Sequence, residues 1–171
     1  EFLDYASNQE ALIYYDINFR SSHAPEAIKL RSSILENFDY ASIVRGSTED
    51  FQNMFNFSEP EKVYRQEVAY HCKQMLCTDA EGDICLFSPS VTKKYRVNKI
   101  ETVSTIGAGD NFNAGIVFGL LKEGISRDDI ASVSEEQWNR IVAHGMAFAA
   151  EVCQSLNNSI SKEFAKNYGR N

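Results

Sequence analysis

Short apolar runs alternate with helix-period stretches along most of this 171-residue chain, and that order restricts the fold more than any single residue does. Residues 11–17 (ALIYYDI) are aromatic and branched, the pattern of a strand buried on both faces of a parallel sheet. A loop with Ser21, Ser22 and Pro25 follows, and Pro25 suits the first turn of a helix reaching about residue 37. Ala27, Ile28, Leu30, Ile34 and Leu35 fall on or near one face of it. Residues 40–44 (YASIV) give a second strand. Ser47 opens a helix through about Phe55, with Glu49 and Asp50 in the first turn, where the helix dipole favours acids. Pro60 begins another helix, to about Cys72, and residues 74–78 read as a third strand. Residues 84–88 and 94–100 make two more, an antiparallel pair joined through Pro89.

A helix over residues 112–121 comes next, capped by Gly124, and a polar stretch at 126–135 separates it from a long helix over 136–155. Trp138, Ile141, Val142, Met146, Phe148, Ala149 and Val152 supply the apolar face of that last helix, and the polar tail from Asn157 is expected to fray. Alternating strands and helices predict an α/β fold, a doubly wound and mostly parallel sheet with helices on both faces. The length suits one domain, residues 1–171, with one core. A net charge of −7 without any Lys/Arg run argues against a nucleic-acid surface. The apolar stretches fall far short of the roughly 20 residues of a membrane span. Cys72, Cys77, Cys85 and Cys153 match no zinc spacing and read as reduced thiols of a cytoplasmic protein. The chain starts at Glu1 without Met, inside a helix over residues 2–9, so a piece of a longer protein is expected.

The densest chemistry lies in Thr105-Ile106-Gly107-Ala108-Gly109-Asp110, directly before an apolar helix. A helix start leaves backbone N–H groups without partners and carries partial positive charge, and glycines let an anion approach that backbone. Asp110 beside those amides is placed to take a proton from a hydroxyl. A tight turn before an acid-favoured helix start is the plain alternative. No GK[ST] follows, and Phe112 breaks GxGxxG, so neither common nucleotide loop is present. Ala114, Gly115 and Gly119 on the following helix allow close packing behind the segment. Asp16, Asn18 and Arg20 sit at the C-terminal end of the first strand, the edge where open α/β sheets bind ligands. There Asp16 and Asn18 can hydrogen-bond water or phosphate, and Arg20 can pair with an anion. The competing reading is an Asx-type turn with a solvated arginine. Arg45-Gly46-Ser47-Thr48-Glu49 follows the second strand, either as a plain helix cap or with Glu49 as a hard oxygen donor near Mg²⁺.

Four of these segments, in this order, resemble the C-terminal half of the ribokinase/fructokinase (PfkB-type) family of sugar kinases. That family carries Asp-x-Asn-x-Arg, Asn-x-x-Glu, Thr-x-Gly-x-x-Gly and Asp-Thr-x-Gly-Ala-Gly-Asp. The last signature is matched from Thr105 to Asp110, and Asp16-Ile17-Asn18-Phe19-Arg20 matches the first. The resemblance implies a ribokinase-like fold without its lid, and a transfer of the ATP γ-phosphoryl group to a sugar hydroxyl. It implies Asp110 as base and the amides of Gly107, Ala108 and Gly109 as the anion hole. It also implies Glu49 as a Mg²⁺ support, directly or through water, and Asn18 and Arg20 as contacts to substrate or phosphate. Cys77, Thr78, Asp79, Gly82 and Thr105 would lie along ATP, and His144 would border the adenine.

The departures are specific. Ser104 replaces the leading aspartate of a monovalent-cation site, Gly46 replaces the asparagine of Asn-x-x-Glu, and Cys77 and Asp79 stand at the threonine and glycine of the nucleotide turn. K⁺ activation is therefore not implied. Family members are about twice this length, so the chain reads as the ATP-side part, inactive alone, of a protein that dimerises through its lid in many relatives. A non-catalytic nucleotide-binding module, and a kinase of a nucleoside or vitamin alcohol, stay open as alternatives.

Overall fold

The computed structural model describes residues 1–79 and 82–168, in two compact units. The first unit comprises Glu1–Val97 with Ser126–Val133, and the second Asn98–Ile125 with Ser134–Asn171.

In the first unit, α1 (Phe2–Asn8) precedes β1 (Tyr14–Asp16), α2 (Ala27–Tyr40), β2 (Ile43–Ser47) and α3 (Thr48–Phe55). Then come α4 (Pro60–Val63), β3 (Met75–Thr78), β4 (Asp83–Phe87) and β5 (Thr92–Arg96). The strands lie in the order β1-β2-β3-β4-β5. β1 pairs with β2 and β2 with β3 in parallel, whereas β3–β4 and β4–β5 are antiparallel, so the sheet is mixed. Each parallel step is bridged by helix, and the antiparallel part needs only short turns. Gly82, at φ 116°, supplies the backbone that turns the chain from β3 into β4.

One face of the sheet carries Val44, Met75 and Cys77, packed with Phe38 of α2 and with Phe51, Met54 and Phe55 of α3. Burying each such aromatic stabilises the unit by about 1.5–3 kcal/mol. α3 is set by a capping box in which Ser47 and Asp50 satisfy each other's backbone N–H groups.

Several expected boundaries move for local reasons. Tyr40 ends α2 and does not open a strand, because Ser42 Oγ accepts from the Ile13 N–H and starts the pairing there. Ile28 is 93% exposed and Leu30 is also exposed, so the inner face of α2 is Ala27, Ile34, Leu35 and Phe38. After α4 the backbone widens to a π-turn over Tyr64–Val68. The last strand stops at Arg96 and does not reach residue 100.

The second unit holds α5 (Ala108–Lys122), α6 (Glu135–Cys153) and α7 (Lys162–Asn167). α5 and α6 run antiparallel, in contact through glycine. A Cβ on Gly115 would collide with the His144 carbonyl, and one on Gly119 would lie 2.9 Å from Ile141 Cα. Ala114, expected in the same packing stripe, is exposed instead. Gly124 at φ 67° ends α5, with the Gly124 and Ile125 N–H groups returning to Leu121 and Leu120 carbonyls. Within the expected frayed tail, residues 161–168 are packed: Ser161 caps α7, and Phe164 and Tyr168 pack on Phe148. Its aromatic spacing of four residues makes one side of a short helix apolar. The four cysteines are free thiols, and among the described residues no helix is long and apolar enough to cross a membrane.

Candidate active site

The predicted residues fall in both units. In the first unit they gather where β1, β2 and β3 end. Arg45, only 8% exposed, donates from Nη1 to both Asp16 carboxylate oxygens at 3.1 Å and from Nη2 to Thr78 Oγ1 at 2.6 Å. Its Nε is buried with no hydrogen-bond partner. Burying an ion pair costs several kcal/mol per ion before attraction repays it, and an orphaned donor costs about 1–3 kcal/mol more. Burial pushes the Tyr14 phenol up, with Arg45 pulling the other way and Asp16 adding to the rise. Asp16 therefore holds an arginine, a role not legible in its motif.

Beyond β1, Asn18 takes φ 38° and is exposed, as is Arg20. Phe19 between them is buried in the core, and its carbonyl accepts from Asn53 Nδ2 at 3.1 Å. The loop is thus anchored at its middle and offers the polar residues on either side. On α3, Glu49 is exposed, while Asp50 is buried and spent on the cap. An asparagine at Gly46 would force its neighbours to shift, because a Cβ would come within 2.6 Å of the Phe51 side chain and 2.8 Å of that of Ile17. The N-cap role that asparagine often fills belongs to Ser47 one residue on, and the Ser-x-x-Asp spacing is the signal for it.

Cys77 points into the hydrophobic core, opposite Cys85, and burial pushes its thiol up to about 12. Thr78 is engaged by Arg45, and Asp79 Oδ1 accepts weakly from Thr48 Oγ1 at 3.4 Å. Gly82 donates to the Asp79 carbonyl at 3.1 Å. Ala80 and Glu81, within the predicted nucleotide turn, lie outside the described residues.

In the second unit, α5 starts at Ala108, so Asp110 occupies its first turn rather than the preceding loop. Gly107 is the N-cap at φ 82°, and a Cβ there would lie 2.6 Å from the Asn158 carbonyl oxygen. Asn111 Nδ2 donates to the Gly107 and Asn158 carbonyls at 2.8 and 3.0 Å, which fixes the turn from behind. The first helical acceptor, the Gly107 carbonyl, serves Asn111, so the Gly109 and Asp110 N–H groups have no intrahelical partner. Asp110 and Thr105 are exposed. Ser104 Oγ accepts from the Ile106 N–H at 3.2 Å, a turn-forming role for the residue that departs from the signature. Such a turn can hold an anion against backbone amides with a carboxylate beside it. Among the described residues no group of three or more His, Cys, Asp and Glu side chains is arranged to hold a metal.

His144 lies farther along α6. Its Nδ1 is 2.7 Å from the Tyr168 hydroxyl, and its ring meets Phe118 edge-on. With Lys122, Glu151, Phe164 and Tyr168 it lines an open cleft of about 670 Å³. Burial, and then Lys122, hold the imidazole below its usual 6.5, while Glu123 opposes them. Because the folded state disfavours the proton, this contribution to stability is complete above pH 6.5 and is lost as pH falls below it. Chemical denaturation from pH 8 to 5 is therefore expected to show a decline that is shallower in His144→Gln.

A family model described as pfkB family carbohydrate kinase matches residues 1–164. A 5-dehydro-2-deoxygluconokinase from Geobacillus thermodenitrificans is 25% identical over 126 residues, covering 70% of this chain and 37% of that protein. A probable chloroplastic fructokinase-6 from Arabidopsis thaliana is 27% identical over 120 residues, covering 69% of this chain and 31% of that protein. The solved fructokinase with bound ATP from Xylella fastidiosa superposes with a TM-score of 0.80 at 17% identity, covering 92% of this chain and 50% of that one. The shared fold is the ribokinase-like α/β fold, and the chain spans about half of that solved structure and about a third of the two sequence relatives. With its signature turn and nearly its whole length matched, the chain belongs to the pfkB family of carbohydrate kinases.

Proposed function

We propose that residues 1–171 form the ATP-side, C-terminal part of an ATP-dependent carbohydrate kinase, fructokinase-like or ribokinase-like, that phosphorylates a sugar hydroxyl. The observation that carries this reading is the start of α5. Gly107 in a left-handed conformation, amides without intrahelical acceptors and an exposed Asp110 stand together in one turn. The bound ATP of the Xylella relative supports a nucleotide for this chain as well.

Asp110 takes the proton from the acceptor hydroxyl as its oxygen attacks. Of the anion hole formed by Gly107, Ala108 and Gly109, the Ala108 N–H already donates to the Thr105 carbonyl at 3.2 Å, so the Gly107 and Gly109 amides, with that of Asp110 beside them and the α5 dipole behind, would offset the negative charge on the transferring group. MgATP, bound as substrate, would supply the γ-phosphoryl group with ADP as the leaving group, and its Mg²⁺ would offset negative charge on the phosphate oxygens. Glu49 would hold Mg²⁺, directly or through water, and Asn18 and Arg20 would meet phosphate or sugar from the anchored loop. Thr78, Asp79 and Gly82 of the first unit, and Thr105 and His144 of the second, would each contact the nucleotide, with Cys77 acting through the backbone because its thiol is in the core.

Calorimetric titration of the intact protein that carries this chain tests the nucleotide half of the reading. Saturable MgATP binding that Glu49→Gln weakens is expected, and no MgATP binding would contradict it. Binding without turnover on any sugar would favour the nucleotide-binding module.

A further inference from the structure

We infer that Arg45 is a positioning residue that couples the Asn18–Arg20 loop to the turn carrying Thr78, Asp79 and Gly82, so that each segment is held in place by the other. The inference rests on the kinase reading only for what the two segments hold.

Arg45 lies on the middle one of three parallel strands, in register with Asp16 on β1 and Leu76 on β3. Its guanidinium reaches both ways, to the Asp16 carboxylate two residues before Asn18 and to the hydroxyl of Thr78, the last residue of β3. A single fork therefore ties the ends of two strands that are not neighbours in the sheet. Stability alone is a poor reason for this arrangement. Apolar residues of similar volume generally replace a buried ion pair without loss, and this one also leaves Nε without an acceptor. A planar, multidentate donor is required because a lysine ammonium is a compact point charge on a flexible stem and lacks the rigid fork that meets both partners.

The bond to Arg45 also orients Thr78. Its oxygen accepts from a cation, so its own hydrogen is directed elsewhere, as a donor strengthened by the charge behind it. A hydroxyl held in this way at the end of β3 suits a ligand oxygen.

The test is a crossed measurement on the intact protein. Thr78→Val keeps the shape of β3 and the Arg45–Asp16 pair, and Asp16→Asn keeps the shape of β1. Hydrogen–deuterium exchange in Thr78→Val is expected to quicken about tenfold at residues 17–20, the scale of one lost charge-assisted hydrogen bond. Asp16→Asn is expected to do the same at Asp79, Gly82 and Asp83, and Arg45→Lys at both. In steady-state kinetics, Thr78→Val then raises the KM for sugar, and Asp16→Asn the KM for ATP, each across from the altered strand. Changes confined to the altered strand's own loop, or a uniform rise across β1 to β5, would overturn the coupling. The exchange data need no turnover, so a wild-type protein that phosphorylates nothing sinks the kinase reading and leaves this test intact.

Discussion

Replacing Asp110 with asparagine in the intact protein is expected to lower turnover by about 10²–10⁴-fold, the usual range for a general base, and to leave the fold in place. Two features separate chemistry from stability at this residue. Asp110 is exposed in the first turn of α5, so the change removes only a helix-dipole interaction of about 0.3–1 kcal/mol. The glycine turn in front of it is fixed from behind by Asn111 and Asn158, neither of which depends on the Asp110 charge. MgATP affinity is expected to stay within a few-fold of wild type, with the loss carried by kcat. Steady-state kinetics beside a thermal melt make the comparison. A variant that turns over at near-normal rate would remove Asp110 from the reaction.

The second large effect belongs to Gly115. A valine there places methyl groups where the His144 carbonyl and Gly145 Cα, at 2.7 Å from an ideal Cβ, already stand. These are backbone atoms, so rotamer changes cannot relieve the overlap, and α6 has to move away from α5. Overpacking of this kind costs typically 1–3 kcal/mol and occasionally more, and the rigid backbone puts Gly115→Val at about 3 kcal/mol. Ala114→Ser, on the exposed side of the same helix, is expected to change stability by less than about 0.5 kcal/mol. Urea denaturation of both variants checks the contrast. Equal stability of Gly115→Val and wild type would mean that the helices do not approach each other as closely as described.

Local signals in the sequence located most elements, and the non-local ones were hidden. Ser47 with two acids behind it gave the start of α3, and the apolar period gave α6 nearly end to end. α5 was expected from Phe112, yet it starts at Ala108, because periodicity registers only apolar residues while the first turn is built of small and acidic ones. α7 was missed because two aromatics among polar residues form too weak a pattern until Phe148 is beside them. The candidate site divides in the same way. Its glycine turn and Asp110 could be read directly, since a short segment contains the whole device. The partnership of Asp16 with Arg45 spans 29 residues and appears only when β1 and β2 pair. Gly46 reads as a loss from a motif, whereas a side chain there would have to displace Phe51 and Ile17.

The most direct test of the central claim follows the γ-phosphoryl group. The intact protein, given MgATP labelled at the γ-phosphate and a panel of hexoses and pentoses, is expected to place label in a sugar phosphate ester, and Asp110→Asn is expected not to. Saturable MgATP binding with no label in any sugar, or equal labelling by Asp110→Asn, would contradict it.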